Sequence, residues 1–165
     1  MLKLFRCESG LRWLWLAGLV LILDQLTKLW ISSNIPYGSQ GIELNPFLRL
    51  VYVFNSGAAF SFLADASGWQ RWLFTGFAIG IAGALLAWLK RLPPKSHWIG
   101  IAIALIIGGA LGNLIDRLYL GHVIDFIDLY LNYGHFPRFN LADCGVCVGA
   151  LMLVLESFFN KKEES

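Results

Sequence analysis

Long apolar runs dominate this sequence. Four of them carry few charges, and they cover residues 11–31, 69–89, 98–118 and 141–159. A helix rises about 1.5 Å per residue, so about 20 residues cross the roughly 30 Å hydrocarbon core of a bilayer. Tryptophans lie near the ends of the runs, as is common at membrane interfaces. The pattern therefore predicts four transmembrane helices.

The segment between the first two runs, residues 32–68, has a different pattern. Residues 47–54 are rich in β-branched and aromatic side chains, which predicts a strand. Asn55-Ser-Gly57 then predicts a turn. Residues 58–63 are small and apolar, and we interpret them either as a second strand or as a piece lying on the membrane. We therefore expect a small, outward-facing, β-rich cradle between helices one and two.

Composition agrees with a membrane protein. Hydrophobic residues make up 57% of the 165 residues and charged residues 15%, and the mean hydropathy is +0.62. A soluble domain is typically about 45–50% apolar and about 25% charged. The fold class that we predict is a membrane all-α protein with a small β element, forming a single domain over residues 1–165. A net charge of +2 gives no support for nucleic-acid binding.

Lysine and arginine are distributed unequally between the two sides that four spans define. The first run is too long for a signal peptide and contains Asp24 and Lys28, so we expect it to remain as an anchor. Positive residues favour the cytoplasmic side, so both termini are predicted to be cytoplasmic and segments 32–68 and 119–140 to face outward. The eight basic residues on the predicted cytoplasmic side are Lys3, Arg6, Arg12, Lys90, Arg91, Lys95, Lys161 and Lys162.

Polar residues concentrate near one end of the predicted bundle. Four of the six aspartates lie between residues 108 and 143. Charged groups in or beside hydrocarbon are costly and usually mark a function. Two carboxylates brought together at a membrane surface suggest acid–base chemistry. By depth, one site at the outer interface is predicted to collect Asp24, Lys28, Asn55, Asn113, Asp116, Arg117, Asp125, Asn140 and Asp143.

Each of these residues also has a purely structural interpretation. Asp24 and Lys28 are four residues apart and can stabilise one helix. Asn140 or Asp143 can cap the fourth helix. Asp128, three residues after Asp125, is expected on a solvated face. Roles as a charged helix end or a turn residue stay open for Asp116, Arg117 and Asn55.

Several familiar catalytic patterns are missing from the sequence. It has no G-x-S-G with a partner His, which argues against an intramembrane serine protease, and no H-E-x-x-H, which argues against a zinc metalloprotease. Cys144 and Cys147 form a C-x-x-C, but without a second pair we interpret them as small residues of a membrane helix. The three histidines are scattered without a carboxylate or Cys cluster, and we interpret them as surface or interfacial residues. We expect no cofactor. A pair of aspartates remains, with a small ion-coupled transporter or a structural assembly subunit as alternatives.

Four segments, taken in order, resemble one family. They are Asp24-Gln-Leu-Thr-Lys28, Asn55-Ser-Gly-Ala-Ala-Phe-Ser61, Gly108-Gly-Ala-Leu-Gly-Asn-Leu-Ile-Asp-Arg117 with the following Gly-His-Val-Ile-Asp125-Phe, and Phe136-Pro-Arg-Phe-Asn-Leu-Ala-Asp143. Together with the four spans, they make the chain resemble bacterial lipoprotein signal peptidase, or signal peptidase II. The resemblance covers nearly the whole chain.

This resemblance implies an aspartic endopeptidase without a metal. Such enzymes remove the signal peptide from diacylglyceryl-modified prolipoproteins by cutting before the lipidated cysteine. The catalytic pair would be Asp125 and Asp143, with Asp128 as a rival carboxylate. The residues implied to line the substrate site are Asn55, Asn113, Arg117 and Asn140. Supporting residues would be Asp24, Lys28, Asp116 and Gly57.

The resemblance also implies partners and a location. The partners would be modified prolipoproteins, membrane lipids and globomycin-type inhibitors, with no nucleic acid. We expect a monomer in the bacterial cytoplasmic (inner) membrane, with its site at the periplasmic or extracellular face.

Overall fold

In the computed structural model of the chain, the described residues are 9–57, 68–131 and 134–160. The prediction of four membrane-capable helices is confirmed. The interpretation of residues 58–63 lies outside the described residues. A short 3-10 helix, Gly10–Trp13, leads into the first long helix, and the four long helices are α1 (Leu14–Asn34), α2 (Trp69–Arg91), α3 (His97–Tyr119) and α4 (Leu141–Asn160).

The helices carry large apolar side chains on their outer surfaces. On α2, for example, Trp72 and Phe77 expose 63% and 59% of their surface. Such exposure is unfavourable in water but suits contact with lipid tails. The surface therefore supports a multi-pass membrane protein, in agreement with the length and hydropathy of the helices.

Helix α3 is the centre of the bundle and packs against the other three. Its glycines permit this close approach. A Cβ at Gly108 would lie 2.6 Å from the carbonyl oxygen of Ala17 in α1, and a Cβ at Gly109 would overlap the carbonyl oxygen of Ala142 in α4. Small residues at such contacts let helix backbones approach closely in membranes.

One end of the bundle has an apolar core, and the loop between α2 and α3 lies there. Leu89, Leu92, Ile103 and Ile107 are buried and pack together with Ala17 of α1. The backbone N–H of Gly10 donates to the carbonyl of Leu92, 3.1 Å away, and this bond joins the 3-10 helix to the loop after α2. We call this the apolar end.

A small antiparallel sheet lies at the opposite end. Its strands, in spatial order, are β1 (Ile42–Asn45), β2 (Leu48–Asn55), β3 (Val123–Leu131) and β4 (Gly134–His135). Strand β2 matches the predicted strand. The sequence predicted a β-rich element only between α1 and α2. Strands β3 and β4, however, come from segment 119–140, so the sheet combines both outer segments.

Candidate active site

The predicted polar residues meet where the sheet packs on the ends of α1, α3 and α4. Several of them are almost fully shielded, since Asp24 and Asn140 expose 0% of their surface and Lys28 and Asp125 expose 2%. Buried polar groups are costly unless they are hydrogen-bonded. Their hydrogen bonds therefore determine what this end of the molecule can do.

Asp125 is held between two asparagine side chains. It lies in β3 opposite Val53 of β2, and Asn55, two residues further along β2, falls beside it on the same face. The Asn55 amide donates to Asp125 Oδ2 at 2.9 Å, and the Asn140 amide donates to Oδ1 at 2.7 Å. Both carboxyl oxygens therefore accept a hydrogen bond from a neutral donor.

Asp143 is the third residue of α4 and takes part in a reciprocal cap. Asn140 Oδ1 accepts from the Asp143 backbone N–H at 2.9 Å, and Asp143 Oδ2 accepts from the Asn140 backbone N–H at 3.2 Å. This is the geometry of a capping box, which satisfies N–H groups left open at a helix start. The remaining oxygen, Asp143 Oδ1, accepts from the Asn113 amide at 2.8 Å.

Asn140 therefore contacts both aspartates and brings them into one site. The capping roles considered for Asn140 and Asp143 are compatible with the chemical interpretation, because the same hydrogen bonds fix both side chains. Burial and the negative charge of Asp143 together raise the pKa of Asp125 to about 7, against the lowering effects of the two asparagines and Lys28. Near neutral pH, Asp125 can hold a proton beside a second carboxyl group.

Lys28 lies behind this pair in a buried ionic cluster. Its ammonium group is 2.8 Å from Asp24 Oδ2 and 2.9 Å from Asp116 Oδ2, and it donates to Asn113 Oδ1 at 3.0 Å. The i,i+4 pair of α1 is thus part of a cluster that also includes α3. Burying such charges requires good pairing, which this geometry provides.

The two acids of this cluster also hold the backbone beside the catalytic candidates. Asp24 Oδ1 accepts from the Ala142 N–H at 2.9 Å, at the start of α4. Asp116 Oδ2 accepts from the Ile124 N–H at 3.1 Å, one residue before Asp125. The supporting residues therefore fix the segments that present Asp143 and Asp125.

Arg117 lies at the side of the site that adjoins the turn after β2. Its guanidinium donates to the carbonyls of Gly57 and Asn113, each at 3.3 Å, and lies over the ring of Phe74. Gly57 in turn donates its N–H to Asn55 Oδ1 at 3.0 Å, which closes the predicted turn. Arg117 and Asn55 thus border the site at the turn that follows β2.

The sequence interpretation missed Gln25. Its amide nitrogen donates to Asp116 Oδ1 at 3.0 Å and to Asp24 Oδ2 and the Gly112 carbonyl at 3.2 Å. It joins the two acids that flank Lys28. An amide side chain deep in an apolar run, directly after Asp24, was the signal that could have identified it.

The expectation that Asp128 is solvated is wrong. It exposes 1% of its surface and lies 3.7 Å from Arg138 Nε. Side chains three residues apart on a strand point to opposite faces, so Asp128 and Asp125 diverge. Asp128 therefore contacts Arg138 on the face of β3 opposite to the one that carries Asp125.

His97 and His122 do not join the site. His97 lies at the apolar end beside Arg12, and His122 stacks on Phe54 with ring centres 3.7 Å apart. Cys144 and Cys147 are free thiols. Among residues 9–57, 68–131 and 134–160, no group of His, Cys, Asp and Glu is arranged to hold a metal ion.

Comparisons with known proteins identify the family. The family model of signal peptidase (SPase) II matches residues 16–159. The lipoprotein signal peptidase of Aeromonas hydrophila is 54% identical over 157 residues, which cover 95% of this chain and 94% of that protein. The lipoprotein signal peptidase of Vibrio cholerae is also 54% identical, over 94% of this chain and 91% of that protein.

Solved structures agree. A bacterial membrane enzyme determined by the in meso method at 2.3 Å resolution superposes with a TM-score of 0.82 and 31% identity, over 93% of this chain and 92% of that one. A second, at 1.9 Å, gives a TM-score of 0.76 and 32% identity over 88% and 91%. The match of sequence and fold extends over nearly the full length, and the chain belongs to the signal peptidase II family.

Proposed function

We propose that this chain removes signal peptides from prolipoproteins as an aspartic endopeptidase, with Asp125 and Asp143 as its catalytic pair. The observation that carries the proposal is the position of Asn140, which hydrogen-bonds to both carboxyl groups in a buried site. The family and the names of the relatives support the reaction. Nothing in the comparisons favours an ion-coupled transporter, and the buried charged residues Asp24, Lys28, Asp116 and Asp125 gather at the end of the bundle that carries the sheet.

In this mechanism the two carboxyl groups share one proton. Two negative charges held close together raise the cost of the second ionisation, so one group stays protonated near neutral pH. The ionised group takes a proton from water, which attacks the scissile carbonyl carbon. The protonated group stabilises the developing oxyanion and then helps to protonate the leaving amine. No covalent acyl-enzyme forms, and the step needs no metal or other cofactor.

The neighbouring residues have separate roles in this proposal. Asn113 and Asn140 donate to the carboxylates, so they orient the catalytic pair and form the wall against which the substrate rests. Arg117 and Asn55 meet at the turn after β2, and we propose that both contact the extended peptide of the substrate there. Asp24, Lys28, Asp116 and Gly57 hold these groups in position.

The substrate that we propose is a diacylglyceryl-modified precursor, cut before the lipidated cysteine. A site at the end of the bundle lets acyl chains stay in lipid while the peptide bond meets water. Globomycin-type inhibitors are proposed to occupy the same site. We infer that the whole chain acts as one monomeric peptidase domain.

We further propose that the chain lies in the bacterial inner membrane with both termini in the cytoplasm and the sheet outside. The excess of Lys and Arg at the apolar end supports this orientation. In a background without native cysteines, a thiol at Ser39→Cys should react with an impermeant reagent added to intact cells, whereas one at Lys95→Cys should not. The reverse labelling pattern would contradict the orientation.

The decisive test is cleavage of a diacylglyceryl-modified precursor by purified protein in bilayers, before and after treatment with a metal chelator. Asp125→Asn and Asp143→Asn should fold but lose at least about 100-fold in rate, as expected when a general acid or base is removed. Asp128→Asn is the matched control and should retain most activity. Chelation should have no effect, and the unlipidated precursor should stay intact.

Three results would contradict the proposal. Full activity in either Asp125→Asn or Asp143→Asn would exclude the pair. A folded but inactive Asp128→Asn would show that the wrong carboxylates had been chosen. Loss of activity on chelation, restored by a metal, would exclude the metal-free mechanism.

A further inference from the structure

We propose that Lys28 is a positioning residue which, acting through the Asn113 amide, keeps Asp143 as the ionised member of the catalytic pair. This inference rests on the proposed aspartic mechanism and extends it, because it assigns the two carboxyl groups different states before substrate binds. Its basis is a continuous set of contacts from α1 through α3 to the start of α4.

The first step is that every N–H donor of the Lys28 ammonium group has an acceptor. Its three N–H bonds match three acceptors within 3.0 Å, namely Asp24 Oδ2, Asp116 Oδ2 and Asn113 Oδ1. An ammonium group donates and cannot accept. Because Lys28 is almost fully buried, these contacts fix its position and leave no room for an alternative geometry.

The second step is the orientation of Asn113. Its Oδ1 accepts from Lys28 and also from the Asn140 amide at 3.2 Å. A flipped amide would turn an N–H toward the lysine and place two donors in contact. Its Nδ2 must therefore face Asp143 Oδ1, at 2.8 Å. A fixed N–H donor favours the ionised form of a carboxyl group over the neutral acid.

The third step is the difference between the two aspartates. Asp143 lies in the first turn of α4, where the helix dipole favours negative charge, and its second oxygen accepts the backbone N–H of Asn140. Asp125 lies on a strand and receives only neutral side-chain amides. Asp143 thus accepts from the Asn113 amide, which Lys28 orients, and from the Asn140 backbone N–H at the start of α4. Both contacts favour its ionised form, so Asp125 holds the shared proton.

The charges around Lys28 make this arrangement sensitive to its loss. Lys28 and Arg117 are positive and Asp24 and Asp116 are negative, so these four surrounding residues have a net charge of zero, while the catalytic pair carries one negative charge. Removing the lysine gives the surrounding residues a net charge of minus one, so the pair binds protons more tightly. The titratable or charged groups that face the cluster come from five elements. They are Asp24 from α1, Tyr52 from β2, Asp116 and Arg117 from α3, His122 and Asp125 at β3, and Asp143 and Cys144 from α4.

The test is the pH dependence of kcat/KM for the modified precursor with Lys28→Met, which keeps the length of the side chain but removes its charge. The acid limb, where the last carboxylate gains its proton, should move to higher pH by about one unit. Below that limb the rate should fall about tenfold at a given pH. Lys90→Met, an exposed lysine at the apolar end, is the matched control and should not change the profile.

Two further substitutions, each made alone and together with Lys28→Met, separate an effect transmitted through Asn113 from a general structural role. Asn113→Leu should reproduce most of the shift, and combining it with Lys28→Met should add little to it. Asp116→Asn together with Lys28→Met restores the charge balance and should return the limb toward the wild-type position. Asp116→Asn alone should move the limb to lower pH, and this variant serves if Lys28→Met does not fold.

A loss of rate in Lys28→Met that is equal at every pH would overturn the inference, because a merely structural role lowers activity without moving the profile. An unshifted limb in Asp116→Asn would do the same. Neither result would affect the aspartic mechanism. That mechanism fails separately, through activity in Asp143→Asn or Asp125→Asn.

Discussion

The two halves of α3 belong to one helix but are stabilised in different ways. Toward the apolar end, Ile103 and Ala104 are completely buried in the apolar cluster. Toward the sheet, Asn113 and Asp116 are held by hydrogen bonds and ion pairs with α1, α4 and β3. The same helix thus serves as an apolar core at one end and as the frame of a polar site at the other.

The two ends should therefore respond differently to mutation. Lipid tails are as apolar as a leucine side chain, so apolar burial between helices gives little net driving force, and fit determines the stability. A buried polar group that loses its partner is costly, because no water is available to replace the contact. We therefore expect changes at the apolar end to affect stability, and changes at the polar end to affect catalysis as well.

Among changes in helix packing, Gly112→Ala should have the largest effect. A Cβ at this position would lie 2.6 Å from Asp24 Oδ2 and 3.2 Å from Ala142 Cβ, so Asp24 and the start of α4 must move. Overpacking of this kind costs about 1–3 kcal/mol. Because Asp24 holds the Ala142 N–H, we also expect cleavage to fall at least tenfold, measured as kcat/KM on the modified precursor.

Gly83→Ala is the matched control for this change. A Cβ at Gly83, on α2, meets nothing within 4 Å, and alanine is the better helix former by about 0.5–1 kcal/mol. Its activity should equal that of wild type and its melting temperature should not fall. Equal losses of activity in both variants would show that the polar end does not depend on the close approach at Gly112.

Ile103→Ala tests the other half of the helix. Ile103 exposes 0% of its surface and packs in the apolar cluster with Leu89. Soluble cores lose about 2–5 kcal/mol on such truncation, and in a membrane we expect the lower part of this range, since mainly the cavity cost remains. Thermal unfolding should begin earlier, while kcat/KM per folded molecule stays unchanged. A tenfold loss of specific activity would mean that the two halves are coupled.

The helices and the collection of polar residues were predictable from the sequence. Hydropathy and length identify the spans, because a lipid-facing helix must be apolar over its full length. Depth along the spans then predicts that Asp24 and Lys28 lie level with Asn113 and Asp143. The contacts from Lys28 to Asn113 and from Asn113 to Asp143 agree with that reasoning.

Strand β3 was not predictable in the same way. Its sequence, Val-Ile-Asp-Phe-Ile-Asp-Leu-Tyr-Leu, places apolar residues on both faces, so no simple alternation marks it. Its partner is β2, which lies about 70 residues earlier, with Asn55 opposite Val123. The ion pair of Asp128 with Arg138 likewise joins residues that only the folded chain brings together. The existence of β3 and the surroundings of Asp128 therefore depend on long-range contacts, which the local sequence pattern does not reveal.

The smallest effect that we predict comes from the titration of Asp125 at the polar end. Its pKa is raised from 3.8 to about 7 by burial and by Asp143, so the folded state binds this proton more tightly than the unfolded state. A raised pKa contributes stability at low pH that is lost as pH rises through about 7. From about pH 6 to about pH 8, one such group lowers the free energy of unfolding by about 1 kcal/mol.

The measurement is the melting temperature of wild type and Asp125→Asn in the same detergent across this range. Wild type should lose stability relative to the variant as pH rises. His122 titrates in the opposite sense, because burial lowers its pKa, but it is present in both proteins and cancels in the difference. Ile103→Ala, altered only at the apolar end, should keep the wild-type pH dependence at a lower melting temperature. Parallel curves for wild type and Asp125→Asn would mean that Asp125 is already ionised well below neutral pH, and the division of roles between the two aspartates would then have to be reversed.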